Sequence, residues 1–167
     1  MSSIDPPAKL KIISLEGRLI TVQGTFNPKE VSVDKSVPWQ KQKKKGPSDL
    51  EYTGGEPKSM SFELMFDSFE AGTSIQPIID DLHALTDTSI QEGNNEQKKR
   101  PPKVMVIWGA GAGRGANSAD GGIPKFEAVI ESVSVKYTMF LANGTAVRAT
   151  ANIKVKEASS LKVGKKS

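Results

Sequence analysis

The chain has 167 residues, a length that suits one compact domain with short tails and argues against two full domains. Its hydrophobic (37%) and charged (25%) fractions are ordinary for a globular protein, and no apolar run approaches the length that spans a bilayer. The sequence contains no cysteine, which excludes disulfides and thiolate chemistry and favours synthesis in the cytoplasm.

The net charge of +4 is concentrated near the C-terminus. This pattern predicts a domain over residues 1–158 and a basic tail over residues 159–167. Two further basic clusters, Lys41–Lys45 and Lys98–Arg100, lie in stretches rich in turn-forming residues. Because aromatic residues are not interleaved with these clusters, solvated loops are favoured. A basic nucleic-acid-binding module is the alternative from another functional class, and nucleic acid is not the expected partner.

Short strands are predicted in the N-terminal part of the chain. Apolar residues within Leu10–Glu16 and Arg18–Phe26 indicate two strands joined at Gly17, and Val31 and Val33 indicate a third. A β-rich domain therefore begins close to the N-terminus.

A polar, basic and glycine-rich segment follows over residues 40–57. Its length and polarity inside an otherwise compact domain predict an extended arm that becomes ordered against another subunit. The candidate contact residues of this arm are Lys41, Lys43, Lys44, Lys45 and Tyr52.

One strand and one helix are predicted in the middle of the chain. Residues Ser59–Asp67 alternate strictly between apolar and polar, which is typical of a strand with one buried face. Over Ser74–Thr86, Ser74 can cap a helix and Pro77 is tolerated in its first turn. The apolar residues at helical spacing are Ile75, Ile78, Ile79, Leu82 and Leu85. With one helix among many strands, the predicted fold class is mainly β.

No group of residues indicates an enzyme. The predicted strand Val104–Trp108 runs into a glycine-rich insertion over residues 109–124, but this insertion lacks the Lys-Ser or Lys-Thr pair and the following helix of nucleotide sites. His83 is the only histidine, so neither a catalytic triad nor a metal site is predicted. Asp80 and Asp81 are adjacent and point to different sides of the helix, which argues against a paired acid and base. We expect no catalytic activity, no cofactor and no metal.

The clearest pattern is a C-terminal hairpin. Alternating residues on both sides of Asn143-Gly144 predict two antiparallel strands. A two-residue turn would place apolar residues of one strand opposite polar residues of the other, so we predict a three-residue loop, Ala142–Gly144, with Gly144 in the left-handed region. The register then opposes Met139 to Val147, Tyr137 to Ala149, Val135 to Ala151 and Val133 to Ile153.

The incoming strand of this hairpin changes its apolar phase by one residue near Glu131–Ser132. Such a change predicts a bulge or corner that curves the sheet into a barrel. The other face of the hairpin is polar, and we expect it to meet water or a polar partner. The candidate assembly residues of this face and of the turn are Thr138, Asn143, Gly144, Arg148, Thr150 and Asn152.

Several segments between Ser59 and Glu157 match the pattern of a known family. The matching segments are Phe62–Asp67, the helix with Ile78, Leu82 and Leu85, Arg100–Pro102, Trp108-Gly109, Tyr137–Phe140 and Gly144–Ala149. In this order they resemble the tube-protein family of contractile injection systems, phage-tail-like particles that include antifeeding prophages and Photorhabdus virulence cassettes. The chain departs from the family pattern at Ala146, where proline is usual, and in the glycine-rich insertion.

The resemblance implies a β-barrel similar to that of Hcp and phage tail tubes, with one flanking α-helix. It also implies hexameric rings around a lumen, with a spike protein and an inner tube protein as partners and without membrane insertion. The implied particle is assembled in the cytoplasm and is then released or membrane-anchored. The implied role is that of the tube initiator, or baseplate adaptor, between the spike and the first tube ring. The stacked inner tube protein is the alternative within the family.

Overall fold

A computed structural model describes residues 8–41, 49–93, 97–108 and 123–158. These residues contain one α-helix, nine strands and a short 3-10 turn. The helix is α1 (Gln76–Ala84), and the 3-10 turn is Gln97–Lys99. The strands are β1 (Lys11–Ser14), β2 (Thr21–Gln23), β3 (Val31–Asp34), β4 (Trp39–Lys41), β5 (Leu50–Tyr52), β6 (Ser59–Asp67), β7 (Val104–Trp108), β8 (Ile123–Phe140) and β9 (Ala146–Glu157).

Seven of the strands form one antiparallel sheet in the order β2-β1-β7-β8-β9-β6-β3, and β4 and β5 form a separate two-stranded sheet. The mainly β fold is therefore confirmed, but the predicted closed barrel is wrong, since among the described residues no ladder joins β2 to β3. The two sides of the curled sheet meet only at the loop after β2. There the N–H groups of Thr25 and Phe26 donate to the carbonyl of Met65 at 2.8 and 3.4 Å.

The hydrophobic core lies between one face of the sheet and α1. Met60, Phe62, Leu64 and Phe66, which share one face of β6, are at most 5% exposed, as the alternation predicts. The helix begins at Gln76, and its N-cap is Ile75 instead of the predicted Ser74; Ser74 Oγ, one residue earlier, accepts the Gln76 N–H at 3.0 Å. Four of the five predicted helix residues, Ile75, Ile79, Leu82 and Leu85, are 0–1% exposed. Ile78 is 37% exposed, so its predicted place in the apolar stripe is wrong.

The hairpin of β8 and β9 confirms the predicted loop. Gly144 has φ of +89°, and its N–H donates to the carbonyl of Leu141 at 2.9 Å, which closes the turn over Ala142–Gly144. The predicted pairs formed by Tyr137, Val135 and Val133 are all present in the ladder. The bulge is also confirmed, because the register shifts between Ile130 and Ser132.

The register differs from the prediction close to the turn. Met139 lies opposite Arg148 instead of Val147. The Val147 carbonyl instead accepts the N–H of Ser68, the residue after β6, at 2.8 Å. The Val147 carbonyl thus bonds on the β6 side of β9, in the stretch where the register with β8 shifts.

The predicted loops have mixed outcomes. The predicted arm contains β4 and β5, whose residues are exposed, while Lys43, Lys44 and Lys45 lie outside the described residues. The glycine-rich stretch from 109 to 122 and the tail over residues 159–167 also lie outside them. Ile123 and Pro124, which the sequence placed in the glycine-rich insertion, belong to β8.

Candidate assembly surfaces

Four predicted assembly residues share the polar face of the hairpin. Arg148, Thr150 and Asn152 occupy alternate positions of β9, whose intervening residues are buried. Thr150 lies opposite Lys136 and Asn152 opposite Ser134. Thr138 and Asn152 are exposed, whereas Arg148 and Thr150 are half-buried. The sequence pattern thus located a continuous polar face.

Asn143 and Gly144 lie at the exposed tip of the hairpin. Asn143 Oδ1 accepts the N–H of Thr145 at 3.0 Å, and Gly144 takes the positive φ that the turn requires. Both residues therefore have a role in the geometry of the turn.

Arg148 is ion-paired within the chain. Its Nε and Nη2 atoms donate to Asp67 Oδ2 at 3.1 and 3.0 Å, and Asp67 lies directly opposite Arg148 in the β6–β9 ladder. The N–H of Phe69 on the carboxylate, followed by the Arg148 guanidinium, holds the pKa of Asp67 below its usual value. The sequence analysis missed this partner, although strict alternation places Asp67 on the polar face of β6.

An open cleft of about 890 Å³ lies over the polar face of β6, β8 and β9. Its lining includes Glu63 of β6, Lys154 of β9, and Lys29 and Glu30 of the loop before β3. The rim residue Phe26 is 54% exposed. Both lysine and glutamate side chains line the cleft, so it presents a surface of mixed charge and not a site for a single ion.

The described part of the chain offers no metal centre. It holds no group of three or more His, Cys, Asp or Glu side chains placed to bind a metal ion. His83 is exposed, and Asp80 accepts a hydrogen bond from Gln76 at 2.8 Å. The described residues instead present unpaired strand edges and exposed side chains.

Three strand edges of the seven-stranded sheet have no ladder partner among the described residues. β2 and β3 end the sheet, and β7 pairs with β8 only from Ile123 to Ala128, which leaves the same edge of β8 without a partner from Ile130 to Phe140. Core-facing residues remain partly uncovered at the β3 and β8 edges. Val33 in β3 is 52% exposed and Tyr137 in β8 is 39% exposed.

Exposed aromatic pairs lie at both ends of the sheet. In the β4–β5 hairpin, Trp39 and Tyr52 are 56% and 54% exposed and their ring centroids are 5.5 Å apart. Lys41 beside them is also exposed. At the other end, Tyr137 and Phe140 have centroids 6.4 Å apart, and the Tyr137 hydroxyl donates to Gln76 Oε1 at 2.8 Å.

A comparison with protein families matched the contractile injection system tube protein over residues 8–166. The chain belongs to the contractile injection system tube protein family. The resemblance found in the sequence is therefore confirmed, and membership of the family supports a structural, tube-related role. A comparison with individual characterised proteins gave no match. No helix in the described ranges combines the length and the apolar character needed to cross a membrane.

Proposed function

We propose that this tube protein is a ring-forming structural subunit without catalytic activity. The observation that carries the proposal is the pair of free edges on one four-stranded unit, β8-β9-β6-β3. Successive strands of this unit are antiparallel, so β8 and β3 run in opposite directions. The β8 edge of one subunit therefore matches the β3 edge of the next in the antiparallel sense.

Pairing of different edges is a heterologous contact, and such contacts close into rings when the rotation between copies is suitable. Main-chain hydrogen bonds would then continue from subunit to subunit and leave no open edge. The contact also buries the exposed Val33 against the partly buried Val133 and Val135 of the neighbouring subunit. A wall completed by copies accounts for a sheet that curls without closing on itself.

The polar face of the four-stranded unit is then the wall of a lumen. Thr138, Thr150 and Asn152 face this space, together with the Arg148–Asp67 ion pair. Hydroxyl, amide and paired ionic groups give a hydrated wall with little net charge. The family resemblance implies six copies in each ring.

Two positions in the particle are compatible with such a ring. The sequence resemblance favours the tube initiator, or baseplate adaptor, which joins the spike to the inner tube as a single ring. The stacked inner tube protein is the second candidate, and the exposed aromatic pairs at both ends of the sheet favour it. The copy number of the protein in purified particles separates them, because an initiator is present as one ring and a tube protein as many.

Native mass spectrometry and electron microscopy of the purified chain, alone and with its spike and tube partners, test the ring. We expect one closed ring mass and annular particles. Monomers under all of these conditions would contradict the proposal. Salt-dependent binding of monomers to a random DNA duplex would support a nucleic-acid-binding module instead.

A further inference from the structure

The tip of the β8–β9 hairpin carries an asparagine followed by a glycine. This pair, Asn143-Gly144, is the only Asn-Gly dipeptide in the sequence, and both of its residues are exposed. In such a pair the backbone nitrogen of the glycine can attack the side-chain carbonyl carbon of the asparagine, because glycine has no side chain to hinder the approach. We propose that Asn143 is a site of spontaneous deamidation, and that the hydrogen bonds of the turn control its rate.

The reaction consumes water and releases ammonia. The Gly144 nitrogen gives up its proton and forms a bond to Asn143 Cγ, while the bond between Cγ and Nδ2 breaks and the amide nitrogen leaves as ammonia with that proton. The product is a five-membered imide. Water then opens the imide at either of its carbonyl groups, which leaves an aspartate or an isoaspartate at position 143. The chain itself supplies the nucleophile and the leaving group, so water is the only other reactant.

One hydrogen bond of the turn prepares the side chain of Asn143 for this attack. Its Oδ1 atom accepts the N–H of Thr145 at 3.0 Å, so the carboxamide is held beside the Gly144 peptide. This oxygen gains negative charge when the nitrogen adds to Cγ. A donor already placed on an oxygen that gains charge stabilises the addition.

A second hydrogen bond restrains the attacking nitrogen. The Gly144 N–H donates to the carbonyl of Leu141 at 2.9 Å, and the Leu141 N–H donates to the carbonyl of Thr145 at 2.8 Å. The Gly144 nitrogen must lose its proton and turn towards Cγ before it reacts, so its hydrogen bond to Leu141 has to break first. The closed turn therefore reacts slowly, and the rate follows the fraction of time for which the tip is open.

The two products differ in their effect on the hairpin. Both add a negative charge at the tip. An aspartate keeps a side-chain oxygen that can accept the Thr145 N–H. An isoaspartate instead carries its β-carbon in the main chain, which lengthens the loop Ala142–Gly144 by one atom. Because the length of the loop fixes the register of β8 against β9, the isoaspartate form should strain the end of the hairpin.

Two other asparagines in the described part of the chain serve as internal controls. Asn27 precedes Pro28, whose nitrogen carries no hydrogen and cannot form the imide. Asn152 is exposed, but it precedes Ile153 within β9, where the backbone is paired with β6 and β8 and the Ile153 side chain is 1% exposed. Exposure of the asparagine alone therefore does not decide which site reacts.

Peptide mapping by mass spectrometry measures the reaction at each asparagine of the full chain. The folded protein is stored in mildly alkaline buffer, and an isoaspartate-specific methyltransferase detects the isoaspartate product. We expect the mass change of an amide-to-acid conversion at Asn143, and intact amides at Asn27 and Asn152 over the same period. The same chain unfolded in guanidinium chloride should react several-fold faster at Asn143, because the hydrogen bonds of the turn are lost.

Two variants at Ala142 test the control by the turn. Ala142 is exposed and is the first residue between Leu141 and Gly144, whose backbone groups close the turn. Proline is favoured at this position of type I and type II turns, whereas glycine makes the backbone more flexible. Neither change alters the Asn143-Gly144 pair. We expect Ala142→Pro to deamidate several-fold more slowly than the wild type, and Ala142→Gly several-fold faster.

Defined outcomes would overturn the proposal. Equal rates in the folded and the unfolded wild-type chain would contradict control by the turn, as would equal rates in the two Ala142 variants when circular dichroism shows both to be folded. An intact amide at Asn143 in folded Ala142→Gly would overturn the site itself. The comparison of folded with unfolded wild type needs no variant, and no result depends on ring assembly.

Discussion

Glu16 and Arg100 lie 84 positions apart in the sequence and form a two-pronged ion pair, with Nη1–Oε2 and Nη2–Oε1 distances of 2.7 and 3.1 Å. The Lys103 N–H and Gln91 Nε2 also donate to this carboxylate, at 3.2 and 3.3 Å. The ion pair joins the β1–β2 turn to the segment that enters β7. It therefore fixes one side of the curled sheet.

Removing the guanidinium should destabilise the fold. Arg100→Met keeps much of the apolar stem but leaves Glu16 without its charged partner, which should cost about 1.5–3 kcal/mol in the free energy of unfolding. Urea denaturation measures this loss. The control is Lys103→Met, because the Lys103–Glu127 pair is more exposed at its carboxylate and should contribute less than about 1 kcal/mol. Equal losses in the two variants would contradict the structural role of Arg100.

The same ion pair predicts a pH dependence. The Arg100 guanidinium lowers the pKa of Glu16 from its ordinary 4.5 to about 2. A lowered folded-state pKa gives a stabilisation that is complete above pH 4.5 and is lost as the pH falls through about 2. Glu16→Gln removes the titrating group, so the stability difference between wild type and variant should shrink across this window. A difference that stays constant from neutral pH to pH 2 would argue against this linkage.

Gly17 should tolerate no side chain. It has φ of +69°, and a Cβ placed on it would overlap the carbonyl oxygen of Ile90, which accepts the N–H of Arg18 at 2.9 Å. Gly72 has nearly the same φ, +65°, with open space around it. Gly72→Ala should cost about 1–2 kcal/mol from the backbone alone, and Gly17→Ala should cost about 1–3 kcal/mol more because of overpacking. Thermal and urea unfolding of both variants measure the difference, and equal costs would contradict the predicted overlap.

Phe66 and Phe69 provide a matched test of the core. Phe66 is 0% exposed, whereas Phe69, three residues later, is 48% exposed. Phe66→Ala should lower the free energy of unfolding by about 3–5 kcal/mol through lost burial and a residual cavity, and Phe69→Ala should change it by less than about 0.5 kcal/mol. Comparable losses measured by urea denaturation would place the core elsewhere.

Local patterns predicted those elements whose burial follows a single period. The alternation in β6 and the helical spacing in α1 correctly predicted Leu64, Phe66, Ile79 and Leu82 as core residues, since each element buries one face. In β8 the apolar residues before and after Glu131 follow the alternation in different phases, and this change of phase predicted the bulge. The Gly144 turn was predictable because only one loop length keeps the apolar residues of both strands on one side.

Contacts between distant segments were beyond such patterns. No sequence pattern near Arg100 or Glu16 indicates that these two residues form an ion pair. The hydrogen bond between the Thr25 N–H and the Met65 carbonyl joins the two sides of the sheet. It depends on how far the whole sheet curls, which no local pattern indicates. The hydrogen bond between the Tyr137 hydroxyl and Gln76 Oε1 was missed because these residues are 61 positions apart in the chain.

Ring assembly by a β3-edge variant tests the central claim most directly. Val33→Lys places a charge at the free edge of β3, where Val33 is 52% exposed, so the fold itself should change by less than about 0.5 kcal/mol. Val37→Lys is the matched control, because Val37 is 47% exposed and lies outside the strands. Native mass spectrometry at equal protein concentration should show rings for wild type and Val37→Lys and folded monomers for Val33→Lys. Rings formed equally well by Val33→Lys would contradict assembly through this edge.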